Sequence, residues 1–97
     1  MKFWEACSDG KVKEVQKLLQ NQKIDINYQG YLGETPFYFA SFKGHIEVVK
    51  LLLSDQRTSI RRKADKGKTA LDIAKKMNHS EIVKLIKEFD TGNLSNN

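Results

Sequence analysis

The sequence predicts an all-α solenoid of helix–turn–helix units joined by extended hairpin-like fingers, and three observations predict it. The chain matches itself at an offset of 34 residues. Each copy carries two short apolar helical patterns separated by a glycine or asparagine. The stretches between copies have no helical period and end in a turn glycine. A length of 97 residues suits one domain, and 39% hydrophobic against 30% charged residues is a wet balance for a deep-cored enzyme. A fold whose every element touches solvent fits better.

The repeat needs no gap. Gly33, Thr35, Ala40, His45, Glu47, Val49, Lys50 and Leu51 recur 34 positions later as Gly67, Thr69, Ala74, His79, Glu81, Val83, Lys84 and Leu85. In the other direction Phe3, Ala6, Gly10, Val15, Leu18, Leu19, Gln22 and Ile26 recur as Phe37, Ala40, Gly44, Val49, Leu52, Leu53, Gln56 and Ile60. Three copies therefore run along the chain, at residues 2–27, 28–61 and 62–90, and the first lacks its opening segment. Together they make one domain, residues 1–90. Residues 91–97 are polar and turn-rich, and are expected to be a disordered tail.

In the middle copy, Thr35 before Pro36 is an N-cap followed by a proline at the first helical position, which predicts a helix over residues 36–43. Gly44 ends it, supplying a left-handed residue; in the last copy Asn78, the next best choice, stands there. A second helix is expected from residue 45 or 46 to 54, with Ile46, Val49, Leu52 and Leu53 on one face. Residues 55–68 read as an extended finger containing a turn.

The segment GETPFYFASFKGHIEVVKLLL (residues 33–53) resembles the ankyrin repeat, GKTALDIAKKMNHSEIVKLI (67–86) resembles a last repeat of that family, and FWEACSDGKVKEVQKLL (3–19) a first one that starts at its first helix. The resemblance covers residues 2–89. Tyr38 and Asp72 stand where the family's T-P-L-H motif has His, and both linkers are one residue longer than the common unit of about 33 residues.

The two ends differ from the middle as opposite caps would. Glu5, Glu14 and Lys17 share columns with Phe39/Ile73, Val48/Ile82 and Leu51/Leu85, while Ser80 and Lys87 replace Val12/Ile46 and Leu19/Leu53. Terminal repeats need polar outer faces, so a complete three-repeat stack and a monomer are expected. Trp4 shares a column with Tyr38 and Asp72. It reads first as a shield over the open first repeat, and second as an extension of an aromatic strip.

No catalytic constellation stands out, and no enzyme, cofactor or metal is expected. His45-Ile46-Glu47 has the H-x-E look of a nucleobase deaminase without its paired cysteines, and both histidines occupy one repeat position, which marks a structural job. The lone Cys7 shares a column with Ser41 and Lys75 and reads as a small packed residue. One cysteine, no signal peptide and no purely aliphatic run longer than residues 51–53 point to a cytoplasmic setting, with the nucleus left open.

What remains is a surface. The resemblance implies a non-catalytic protein–protein interaction module that docks partners on a concave face of finger tips and first helices. Mapped onto this chain, that face takes Ser8 and Asp9, then Tyr31, Leu32, Glu34, Phe42 and Lys43, then Asp65, Lys66, Lys68, Lys76 and Met77. Tyr31, Leu32 and Phe42 are apolar where their repeat-mates are polar, the usual composition of a binding hot spot. Residues 57–68 hold six cations (Arg57, Arg61, Arg62, Lys63, Lys66, Lys68) against one anion, in a chain whose net charge is +5. An acidic or amphipathic protein segment suits that layout. The alternative is an anion-directed binder of nucleic acid or acidic membrane using this basic finger.

Overall fold

The computed structural model describes residues 2–95, and side chains through residue 92. Six helices occur among the described residues, and no strand: α1 (Phe3–Ser8), α2 (Val12–Leu19), α3 (Pro36–Lys43), α4 (Ile46–Leu53), α5 (Ala70–Lys76) and α6 (Ser80–Ser95), with a 3₁₀ turn at Asp65–Gly67. The first helices α1, α3 and α5 pack side by side in one layer, and α2, α4 and α6 form a second layer behind them. Close approach in the first layer follows from one column: Ala6, Ala40 and Ala74 are all fully buried.

Local chemistry starts the helices. Thr35 Oγ1 accepts the Tyr38 N–H at 3.1 Å, with Pro36 at the first position of α3. At α5 the Asp72 N–H donates to Thr69 Oγ1 at 3.2 Å, and Asp72 Oδ2 accepts the Thr69 N–H at 3.0 Å, closing a capping box. That bond to the Thr69 amide is the chief reason the Asp72 carboxyl is held below the usual range, with Lys68 and Lys75 adding to it. Asp72 thus does helix-starting work at a position where the family motif has His.

The turns between paired helices use the left-handed region as expected, with Gly44 at φ 78° and Asn78 at φ 62°. The histidines tie one repeat to the previous one. His45 Nε2 bonds the Ser8 carbonyl at 2.8 Å, and His79 Nε2 bonds the Phe42 carbonyl at 2.9 Å, the same contact one repeat on. Each caps the end of a first helix, whose last carbonyls otherwise have no partner.

Phe37, Val48, Val49 and Leu52 form the centre of the core, joined by Phe3, Cys7 and Val15 on one side and Ile82 and Ile86 on the other. Three sequence expectations need correction here. Ile46 is 37% exposed even though a repeat follows it, while its repeat-mate Val12 is partly buried against the core; Val48 takes the place of Ile46 in the buried face of α4. Second, α6 runs to Ser95, so residues 91–95 are helical where a disordered tail is expected; residues 96–97 lie outside the described residues. Buried Ile86 and half-buried Phe89 hold α6 to the stack, and extending a formed helix costs far less than starting one. Third, Ser8 is buried and does not join an outer face.

Ser41 is fully buried in α3, and its hydroxyl has no hydrogen-bond partner. Burying an unpaired hydroxyl costs free energy that its removal recovers. Ser41→Ala is therefore expected to leave stability unchanged or raise it by up to about 1 kcal/mol, read as the urea midpoint. A loss of that size would show that the hydroxyl carries a bond.

Candidate protein interface

The two fingers are built alike. The Gly30 N–H donates to the Glu34 carbonyl at 2.8 Å, and the Ala64 N–H to the Lys68 carbonyl at 2.7 Å, closing equivalent turns. The tips are bonded to each other, since the Asp65 N–H donates to the Leu32 carbonyl at 2.9 Å. Gln29 reinforces this by donating its amide to the Gly33 carbonyl at 3.1 Å and the Lys63 carbonyl at 3.3 Å. Glu34 Oε1 accepts the Leu32 N–H at 3.0 Å, so the glutamate read as a contact residue also holds its own finger in shape.

Between the first finger and helices α1 and α3 lies a cleft of about 410 Å³, walled by Trp4, Tyr28, Tyr31, Leu32 and Phe39, with Lys2, Gly30 and Glu34 completing the lining. The rings of Trp4 and Phe39 pack with centroids 5.6 Å apart and planes tilted by 34°. Trp4 therefore belongs to an aromatic strip that crosses from the first repeat to the second. It also lines an adjoining hollow of about 310 Å³ with Lys2, Phe3, Ile24, Asp25 and Tyr28, at the open side of the first repeat. Tyr31 is fully exposed, and Tyr28 and Leu32 are about half exposed.

The structure brings Tyr31, Leu32 and Glu34 together in this cleft and leaves Phe42 outside its lining, exposed near the end of α3. Lys43 is exposed beside it; Lys76 and Met77 are exposed at the end of α5, and Lys66 and Lys68 on the second finger. Tyr28 was not among the candidates. It was findable, because its repeat-mate is Arg62, the same contrast that marks Tyr31. Tyr38 lies between Glu34 and Asp72; burial first, then those carboxylates, push its phenol pKa up.

The basic finger is less available than its composition suggests. Arg57 donates to the carbonyls of Leu19 at 2.8 Å and Asn21 at 3.1 Å, and pairs with Asp55 at 2.9 Å. It is a strut between linkers, which corrects its reading as a ligand-facing cation. Arg61 pairs with Asp90 of α6 at 2.9 Å, and Arg62 reaches Gln29 Oε1 and Ser59 Oγ, each at 3.4 Å. Lys63, Lys66 and Lys68 are exposed.

The second histidine nitrogen of each pair abuts the turn of the preceding repeat, and burial pushes the Cys7 thiol up to about 12. At that value the thiol is protonated and unreactive at neutral pH. Among the described residues no group of His, Cys, Asp and Glu could hold a metal ion, and no helix is long and apolar enough to cross a membrane.

Paired helices stacked in two layers, bonded fingers on one side and histidine ties between units define a helical repeat solenoid. The family model for ankyrin repeats matches residues 3–95 in three copies, and the chain belongs to the ankyrin repeat family. No curated protein matches it in sequence. Among solved structures it is similar to a chain in the complex of the Bd0816 predatory endopeptidase from Bdellovibrio bacteriovorus with immunity protein Bd3460. That match has a TM-score of 0.81 and 31% identity, and covers 90% of this chain and 45% of the other, so this chain spans under half of its relative's length. The ankyrin repeat family is generally one of non-catalytic protein–protein interaction modules.

Proposed function

We propose that the chain binds a partner protein as a monomer in a cytoplasmic setting, through the side formed by finger tips and first helices. One observation carries the reading: Tyr31, Leu32 and Phe42 are large apolar side chains exposed at repeat positions where no core column calls for them. Exposed aromatic groups on a rigid frame keep their binding energy, because little rotamer freedom is lost on contact. The similar chain from the endopeptidase–immunity protein complex supports a protein as the partner. Glu34, Lys43, Lys66, Lys68, Lys76 and Met77 surround the apolar residues as a mostly basic border.

The anion-binding alternative has lost part of its footing, since Arg57 and Arg61 already have carboxylate partners. Two double variants weigh the readings. Tyr31→Ala with Phe42→Ala is expected to weaken capture of a partner from extract by about thirtyfold, the usual cost of losing a hot spot. Lys63→Glu with Lys66→Glu, which spares the Arg61–Asp90 pair, is expected to weaken it only a few-fold and mainly at low salt. Circular dichroism checks that both fold. The opposite ranking, with steep salt dependence, transfers the assignment to phosphate-bearing ligands.

A further inference from the structure

We infer that the outer edge of the second finger, at Lys66 and Gly67, is a docking edge for an extended segment of a partner protein, which adds to it as a third finger would. This rests on the protein-binding reading above and adds the place and the form of the partner.

The first finger shows how such an edge works. Its Leu32 carbonyl accepts the Asp65 N–H of the second finger at 2.9 Å. Gly33, at φ 80°, makes room for that approach, since a Cβ there would stand 3.3 Å from Ala64 Cα and 3.5 Å from the Asp65 nitrogen. The Gln29 amide completes the contact by donating to the Lys63 carbonyl at 3.3 Å. A backbone acceptor, a residue without a side chain and a side-chain donor together hold the neighbouring backbone.

All three parts recur 34 positions later. Among the described residues the Lys66 carbonyl, the mate of the Leu32 carbonyl, accepts no hydrogen bond. Gly67, the mate of Gly33, is also left-handed at φ 74°, and a Cβ there would meet nothing within 4 Å. Lys63, the mate of Gln29, is exposed and brings its own N–H donors. The second finger thus keeps every part by which the first holds its neighbour. An extended edge with unpaired backbone is a template for another chain, and main-chain bonds supply the affinity.

The same comparison sets the occupant. Cys7 and Ser41 are fully buried, and their mate in the last repeat is the exposed Lys75; the mate of partly buried Leu53 is the exposed Lys87. A further helix pair stacked there would bury both charges, a cost that an extended segment on the finger alone avoids. The residue lying on Gly33 is the small Ala64, so Gly, Ala or Ser is expected opposite Gly67. The residue after it must carry an N–H for the Lys66 carbonyl, which excludes proline.

The test pans a displayed library of random peptides on the whole chain and again on Gly67→Asn. Asparagine holds the left-handed conformation at Asn78, and at Gly67 its side chain enters open space, so this variant keeps the fold while obstructing the edge. Peptides selected by the parent are expected to carry a small residue followed by a residue other than proline. They should bind Gly67→Asn at least about tenfold more weakly and shift the amide resonances of Lys66 and Gly67. Methylating the peptide nitrogen after the small residue leaves the protein untouched and should also cost about tenfold, the usual scale for one backbone hydrogen bond.

Several results would overturn the inference: no selected peptide, peptides that bind Gly67→Asn normally, binding indifferent to the methylated nitrogen, or resonance shifts confined to other parts of the chain. Self-association of the parent that Gly67→Asn abolishes would do the same, by assigning the edge to a second copy. The wider reading is judged separately. If Tyr31→Ala with Phe42→Ala abolishes partner capture while Gly67→Asn captures normally, the interaction face stands and only the edge assignment falls.

Discussion

Gly44→Val is expected to destabilise the protein by about 2–3 kcal/mol, a large share of the total stability of a small domain. Two costs add. Gly44 sits at φ 78°, where a β-branched side chain is strained by about 1–2 kcal/mol. A Cβ there would also stand 2.8 Å from Cε1 of His79, so the ring must move and its bond to the Phe42 carbonyl is put at risk. Such a bond is worth about 1 kcal/mol. The check is urea unfolding of Gly44→Val, of His79→Ala and of the double variant. In the double variant the second cost has already been removed, so the two losses should add to less than their sum. Strict additivity would show that the ring and the turn do not press on each other.

Asn78 explains why this turn tolerates a side chain once. It holds the same left-handed conformation at φ 62°, but it lies in the turn between α5 and α6, and among the described residues no histidine stacks on it. The demand for glycine at Gly10 and Gly44 thus comes from the next repeat as much as from the backbone angle. At Gly10 a Cβ would stand 2.6 Å from Nδ1 of His45.

Arg57→Ala is expected to lower Tm by several degrees, the scale on which a small domain registers the loss of a shared hydrogen-bond network. The guanidinium satisfies the Leu19 carbonyl at the end of α2 and the Asn21 carbonyl beyond it while gripping Asp55. Removing it leaves the Leu19 carbonyl without this donor and strips the side-chain bonds from Asp55, while the Asn21 carbonyl keeps the Ile24 N–H and Asp55 keeps the backbone N–H of residue 57. Arg57→Lys should recover only a minor part, because an ammonium cannot serve three acceptors in a planar fork. A Lys variant as stable as the parent would show that charge alone matters.

The same strut has a pH signature. The hydrogen bond from Arg57 is the main reason the Asp55 carboxyl lies below its usual range. A depressed carboxylate adds stability that is present above its unfolded-state pKa, about 4, and is lost as pH falls through the folded value. Parent and Arg57→Ala should therefore differ most at neutral pH and converge in acid. A gap that is constant with pH would remove Asp55 from the explanation.

Much of this was legible in the chain. Thr35-Pro36, Gly44 and the 34-residue offset place helix starts, turns and copies, because caps and left-handed turns are local events. The aromatic fingertip was legible too, from residues that break their repeat column. Arg57 was misread because a run of cations looks alike whether it faces water or the neighbouring linker. Its partners Leu19 and Asn21 lie 38 and 36 residues away, beyond any local pattern. Ile46 was misread for a related reason: helical period says which residues share a face, and only the neighbouring helix decides which part of that face is covered.

The sequence by itself determined the repeat, its helix pairs and its left-handed turns, since each follows from backbone preferences within a few residues or from one unit copied three times. Tertiary structure alone decided that Trp4 packs on Phe39, that the fingertips bond each other through Leu32 and Asp65, and that Tyr28 joins the cleft. Those contacts join different repeats, and their geometry depends on how far one unit is displaced and turned against the next. That displacement is set by packing between layers, where small side chains such as Ala6, Ala40 and Ala74 let helices approach, and no local stretch of chain encodes it.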